Sequence, residues 1–334
     1  MRIYKRVKFF LLNILLIIIS IFFALIIAEL IIRCLIPKCS KDLTYGKLVV
    51  RNTDGFRDRD FIIPKPPSIY RILVLGDSFV WGVGLDMKDT LPKILESMLH
   101  KEIKTPTIEV INAGEGGYNT RQELLRFRDK GLKYEPNMVI LVYFLNDVLN
   151  SALPEKKNSK SALNSITTNL VRLLRVMELR SRIVMFVSQR IRDIITKIYL
   201  DKQNPFLLVD TMNNLYINDY IGWVNSKKAL YETSRLCKEN NAYFIGVIYP
   251  ALYYLDNYRA TFAHKAINDY FHSINVPVID LLPFFHFKGK RYRSLWINLI
   301  DGHPNAEANY IAAKALVPTI KNHIEKEAYK LWKN

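Results

Sequence analysis

A run of 20 residues near the amino terminus, Phe9 to Ala28, carries no charge, and only Asn13 and Ser20 within it are polar. As an α-helix rising about 1.5 Å per residue, it is about 30 Å long, the thickness of a bilayer's hydrocarbon core. A cleaved signal peptide has a shorter apolar region, roughly 7–15 residues, ending in a small-x-small site. Ile26-Ile27-Ala28-Glu29 is a poor site of that kind. The run therefore predicts an uncleaved single-pass membrane anchor, with membrane lipid as its partner. Arg2, Lys5, Arg6 and Lys8 precede it, and Arg33, Lys38, Lys41 and Lys47 follow. This near tie is broken by the terminal amine, which favours the amino terminus inside and the rest of the chain outside. Glu29 falls near the outer end of the helix, where it can reach the interface or pair with Arg33.

The remaining composition narrows the classes. The chain has 334 residues, of which 50% are hydrophobic and 24% charged, which is unlike a disordered chain. Cys34, Cys39 and Cys237 fit neither a disulfide framework nor a zinc pattern, and no lipidation box surrounds the first two. The formal charge of +17 suits nucleic acid, anionic lipid or acidic polysaccharide. No zinc finger or aromatic RNA-binding signature is present, so no nucleic-acid partner is expected.

Three regions follow from the pattern. Residues 1–40 are the cytoplasmic tip and anchor. Residues 41–69, with Pro64, Pro66 and Pro67, read as a linker. Residues 70–330 form the main domain. In it stand five short apolar runs: Arg71–Leu75, Ile108–Asn112, Met138–Phe144, Tyr243–Ile248 and Pro277–Asp280. Continuous apolar runs suit strands covered on both faces. Helical patterns lie between them: one capped by Asp89 or Thr90 with Pro92 in its first turn, one from a Thr120 cap through Lys130 stopped by Gly131, and others near 226–240, 259–274 and 305–325. Alternating strands and helices predict an α/β fold, a three-layer α/β/α sandwich around a five-stranded parallel sheet. Between the third and fourth strands, a basic helical insertion is expected at about 151–225. Residues 151–200 hold ten Lys/Arg and three Asp/Glu, a net +7, as a solvated face, a cap over the site or a surface for anionic lipid.

In parallel sheets, ligands bind beyond the carboxyl ends of the strands. The first strand ends in Gly76-Asp77-Ser78-Phe79, a turn that can present a serine hydroxyl at a helix start. The second ends in Asn112-Ala113-Gly114-Glu115-Gly116-Gly117, whose glycines let backbone N–H groups approach a ligand. No phosphate-binding glycine pattern or Walker lysine accompanies them. The third ends in Phe144-Leu145-Asn146-Asp147, where an Asn amide can donate to an oxyanion or cap a turn. Asp301-Gly302-His303-Pro304 is a Gly/Pro-bounded loop with a carboxylate beside an imidazole, the pairing that orients a catalytic histidine.

Together these four segments resemble the SGNH hydrolases, also called the GDSL family, over about residues 70–325. The segment Arg51-Asn52-Thr53-Asp54-Gly55-Phe56-Arg57 is similar to one found in membrane-anchored bacterial members. The resemblance implies a flavodoxin-like fold with Ser78 as nucleophile, His303 as base and Asp301 as its orienting acid. It implies an oxyanion hole from Ser78, Gly117 and Asn146. Gly117, five residues after Asn112, matches the family's second block better than Gly114. No metal or cofactor is implied. Two positions depart from the family pattern. Phe144 stands where a glycine is usual, and the acid lies two residues before His303, with Ile300 at the usual place. Polysaccharide-acetylating relatives use the same Asp-x-His spacing, and Asp280 is a possible substitute acid.

The function implied is serine-dependent hydrolysis of an acyl ester outside the membrane, on an O-acylated, chiefly O-acetylated, cell-envelope glycan. Three alternatives stay open: an O-acetyltransferase of envelope polysaccharide, a lipid esterase with residues 151–200 as lid, and a non-catalytic polysaccharide assembly protein.

Overall fold

The structure, a computed structural model, describes residues 2–35, 43–44, 47–148, 213–217, 219–298 and 301–333. Most of the expected basic insertion at 151–225 lies outside the described residues. The chain divides into two compact units. The first contains helix α1 (Arg2–Leu35), in which Phe9–Ile31 has a mean hydropathy of 3.1 and no buried side chain. That stretch is long and apolar enough to cross a membrane, as an anchor or as a signal sequence.

The second unit opens with a small antiparallel pair, β1 (Leu43–Thr44) and β2 (Lys47–Leu48). Strand β3 (Ile69–Gly76) follows, then α2 (Ser78–Trp81), α3 (Leu91–Glu102), β4 (Thr107–Asn112) and α4 (Thr120–Arg126). Next come β5 (Met138–Phe144), α5 (Ile221–Glu239), β6 (Tyr243–Tyr249), α6 (Thr261–Ser273), β7 (Val278–Asp280) and α7 (Leu282–Phe285). A hairpin of β8 (Trp296–Asn298) and β9 (Asp301–Pro304) leads into α8 (Ala306–Lys333).

The five strands form one parallel sheet in the order β4-β3-β5-β6-β7, the flavodoxin-like arrangement. Helices α3 and α8 pack together on one face, and α4 and α5 on the other. Each face has its own apolar core. Ile72, Val74 and Val142 point to the α3/α8 side, while Leu73, Leu75 and Leu141 point to the α4/α5 side. This double covering explains why the strands read as unbroken apolar runs rather than as alternations. The charged Arg71 in β3 is tolerated because it faces its register partner Glu109 on β4, with Nη2–Oε2 at 2.6 Å.

Three local expectations change. Thr90 is the N-cap of α3, but its hydroxyl donates to the Met87 carbonyl (2.7 Å) instead of capping the helix. The N-cap of α4 is Asn119, which forms a reciprocal capping box with Gln122. Thr120 instead sits inside the first turn and bonds Ser226 Oγ at 2.9 Å. Nor does Gly131 stop this helix. The chain runs on through a π-turn (Phe127–Gly131) and a 3-10 turn (Leu132–Tyr134) to Glu135, in the left-handed region at φ 48°. Gly131 is there because a Cβ would lie 2.7 Å from Leu73 Cδ2.

Part of the expected linker 41–69 is packed into this unit. Asn52 donates to Tyr134 Oη (3.0 Å), and Phe56, Arg57 and Asp58 are fully buried. Asp58 accepts from the Asn112 backbone N–H (2.8 Å) and pairs with Lys93 (2.7 Å).

Candidate active site

The strand order reverses beside β3, which has β4 on one side and β5 on the other. The crevice beyond the carboxyl ends of these strands is where this topology places a ligand. At the end of β3 the chain turns sharply at Gly76, where any Cβ would collide with Val80. Asp77 then caps α2: its Oδ1 accepts from Phe79 N–H (2.9 Å), and its Oδ2 lies 3.2 Å from Ser78 Oγ. Burial pushes the Asp77 carboxyl upward, against the opposing pull of the Phe79 amide and His303. Gly82 closes this one-turn helix in the left-handed region, φ 86°, with its N–H on Ser78 O.

Ser78 Oγ lies 2.9 Å from His303 Nε2, and His303 Nδ1 lies 2.5 Å from Asp301 Oδ1. With Nδ1–H donating to the carboxylate, Nε2 is left to accept from the serine hydroxyl. Asp301 Oδ1 also accepts from the His303 backbone N–H (3.0 Å), and Asn298 Oδ1 accepts from Asp301 N–H (3.0 Å). The two-residue spacing works because the segment is not the expected loop but strand β9. Residues two apart share a face of a strand. The imidazole and the carboxylate are 29% and 15% exposed, so the chain of groups opens to solvent at the histidine.

Asp280 is engaged elsewhere. It accepts from His264 Nδ1 (2.9 Å) and from Leu282 N–H (2.9 Å), and His264 Nε2 meets Tyr258 Oη at 2.8 Å. The structure thus pairs Asp301, not Asp280, with His303.

The loop after β4 crosses the end of β3, with Glu115 N–H on Gly76 O (3.0 Å). Its glycines differ in kind. At Gly114 a Cβ would lie 2.5 Å from Trp81 N, so this glycine lets the loop touch α2. At Gly117 the φ of 77° favours glycine, while the space where a side chain would stand is open. Asn146 lies in the turn after β5, closed by Asp147 N–H on Phe144 O (3.0 Å). Its amide is half-buried, with Oδ1 lacking a hydrogen-bond partner among the described residues. Ser78, His303 and Asp301 are therefore one hydrogen-bonded chain, and Gly117 and Asn146 follow the two strands flanking β3.

Supports that motif reading missed surround this chain. Phe144 stacks on Phe79 with ring centroids 4.0 Å apart, and Phe79 meets the His303 ring edge-on at 5.5 Å. Arg57 donates to the carbonyls of Trp81 (2.7 Å), Gly82 (2.5 Å) and Leu85 (2.5 Å), pinning the turn after α2. Burial, with the Arg51 charge nearby, lowers the Arg57 pKa to about 10. The only advance signal was the position of Arg57 in the segment 51–57. Among the described residues, no cluster of His, Cys, Asp and Glu could hold a metal ion.

A hydroxyl, an imidazole and a carboxylate hydrogen-bonded in series at the edge of a parallel sheet is the arrangement that recurs in serine hydrolases on unrelated folds. Residues 72–316 match the family model of the GDSL-like lipases and acylhydrolases, and the chain belongs to that family of carboxylic ester hydrolases. No curated protein matches the sequence. Solved structures similar in fold include TesA, at 14% identity and TM-score 0.45, covering 75% of this chain and 98% of that one. The acetyl xylan esterase AlAXEase shows 16% identity and TM-score 0.44, with 75% and 99% covered. Esterase EstA from Pseudoalteromonas sp. shows 17% identity and TM-score 0.44, with 76% and 98% covered.

Proposed function

We propose that the protein cleaves an acyl ester through a covalent intermediate on Ser78, and that the ester belongs to an O-acylated, chiefly O-acetylated, cell-envelope glycan. The observation that carries the first part is the continuous Ser78–His303–Asp301 hydrogen-bonded chain. His303 Nε2 takes the Ser78 proton as Oγ forms a bond to the ester carbonyl carbon. The backbone N–H groups of Ser78 and Gly117 and the Asn146 amide hold the oxyanion, one such donor stabilising the transition state by about 3 kcal/mol. Asp301 keeps Nδ1 protonated and stabilises the imidazolium. The ester C–O bond then breaks, and the proton on Nε2 passes to the leaving alcohol. Water, deprotonated by His303 in turn, attacks the acyl-serine; the acyl–Oγ bond breaks, Oγ takes the proton from Nε2, and the acid is released. The glycan reading rests on the apolar amino-terminal helix, taken as an anchor with the catalytic unit outside, and on the basic chain.

The test uses the full-length protein in detergent micelles. A fluorophosphonate probe is expected to label the protein but not Ser78→Ala, and the variant is expected to lose hydrolysis of short-chain aryl esters. Full activity in Ser78→Ala sinks the nucleophile. For the substrate, envelope glycans of a deletion strain are expected to carry more O-acetyl; less would mean a transferase, and no change would argue against both.

A further inference from the structure

The turn that follows β6 carries two consecutive tyrosines, the first of which lies against Gly302, the residue before His303. Tyr253 and Tyr254 are 42% and 46% exposed. Tyr254 has φ 46°, a left-handed conformation that a bulky residue adopts only at a cost. Backbone strain of this kind clusters at functional sites.

Rings from the segment before β9 hold the two tyrosines in place. Tyr253 meets Trp296 at 4.8 Å and Tyr254 meets Tyr292 at 5.5 Å, while Tyr292 and Trp296 lie 5.7 Å apart. Trp296 is tied to the same turn through Nε1–H on the Leu252 carbonyl (2.7 Å). The link to the reacting groups runs through Gly302. A Cβ at Gly302 would stand 2.5 Å from Tyr253 Oη and 2.9 Å from its Cζ, so the phenol ring lies against the residue immediately before His303. Arg293 lies over the Trp296 ring at 5.5 Å and, with Arg291, leaves the rim exposed and basic.

We propose that Tyr253 and Tyr254 form a platform for the carbohydrate part of the ester. This rests on the reading of Ser78 as the ester-cleaving group. The apolar C–H face of a pyranose covers an aromatic face, while ring hydroxyls reach the phenol oxygens and the basic rim. Tyrosine suits this role because it presents a large amphipathic surface with few torsions to freeze. A fatty acyl chain calls instead for an enclosed apolar slot. The rival occupant is a lipid surface, which also attracts tyrosine beside basic residues.

The experiment measures binding without turnover. Full-length Ser78→Ala in detergent micelles is titrated with β-1,4-linked hexasaccharides of glucose, mannose and N-acetylglucosamine by calorimetry. At least one is expected to bind. Adding Tyr254→Ala is expected to weaken that binding about five-fold or more, while adding Tyr254→Phe, which keeps the ring, retains it. No binding by any of the three sugars, or equal binding with and without the Tyr254 ring, overturns the platform. A lipid role also overturns it: brominated acyl chains in nanodiscs would quench tryptophan emission, and that quenching would vanish in Trp296→Phe. Failure of the esterase reading is separate, since it shows as aryl-ester hydrolysis persisting in Ser78→Ala.

Discussion

Arg51 grips Glu115 with both prongs of its guanidinium, Nη1–Oε2 at 2.8 Å and Nη2–Oε1 at 2.9 Å. The two residues lie on opposite sides of β3 in sequence, and Glu115 sits between Gly114 and Gly117 in the loop that crosses the end of that strand. Arg126 reinforces the same carboxylate at 3.1 Å and donates to Ala113 O at 2.9 Å. A segment preceding the sheet thus fixes the backbone proposed to hold the oxyanion. The pair is partly exposed, so its contribution to global stability is modest, about 1 kcal/mol or less.

That geometry predicts a rate effect larger than the stability effect. Arg51→Met is expected to lower kcat on an aryl acetate about ten-fold with a smaller change in KM, while the melting temperature moves by a few degrees at most. Arg51→Lys keeps the charge but not the fork, and should fall between. An unchanged kcat in Arg51→Met removes the positioning role.

The two loop glycines separate packing from chemistry. Gly114→Ala drives a Cβ into the Trp81 backbone N at 2.5 Å and Val80 Cβ at 2.8 Å, so α2 or the loop must move. It is expected to cost about 1–3 kcal/mol in denaturant unfolding. Gly117→Ala meets no atom within 4 Å. Its cost is the left-handed backbone alone, about 1–2 kcal/mol, and its larger consequence should be a loss of kcat as that conformation shifts. If both variants lose stability and rate in the same proportion, this division is wrong.

Glu123 sets a pH dependence of stability. It is fully buried on α4, and neither carboxylate oxygen has a hydrogen-bond partner among the described residues. Burial, and then the nearby Asp77 charge, hold its pKa well above the usual value of 4.5. A carboxyl raised on folding leaves stability intact below the unfolded-state pKa, and that stability is lost as pH rises from there through the folded value. Glu123→Gln removes this loss. The variant is expected to exceed the parent by about 1 kcal/mol or more at pH 8, with the gap closing near pH 4. Thermal melts at the two pH values measure it, and a gap independent of pH refutes it.

The two aspartates near histidines should behave differently. Asp301→Asn is expected to lower kcat on the order of 10³-fold with the fold intact, because the imidazole loses its orienting carboxylate. Asp280→Asn unpairs the buried His264 and should cost about 1–3 kcal/mol of stability instead. Equal losses of rate in both would reopen the choice of acid, and steady-state kinetics beside denaturant melts distinguish the cases.

The sheet, its two helical layers and the residues at the strand ends were legible along the chain. Runs covered on both faces leave a continuous apolar record at β3 and β5, helices leave a 3.6-residue one, and the strand-end segments holding Ser78, Gly117 and Asn146 follow from that pattern, while the choice of these residues and of His303 came from the family resemblance. Local hydrogen bonding misled that reading at α4, where Asn119 and Gln122 take the cap from Thr120. Which groups meet across the fold was decided only by tertiary structure. Asp301 and Asp280 are both plausible acids in sequence, and the β8–β9 hairpin settles the pairing by placing Asp301 on the same strand face as His303. The departure at Phe144 gains its meaning from Phe79, 65 positions away, on which its ring stacks. Arg51 and Glu115 meet for the same reason. Burial and periodicity are properties of a segment, but a contact between distant side chains depends on strand order and crossover path, which no short stretch of chain encodes.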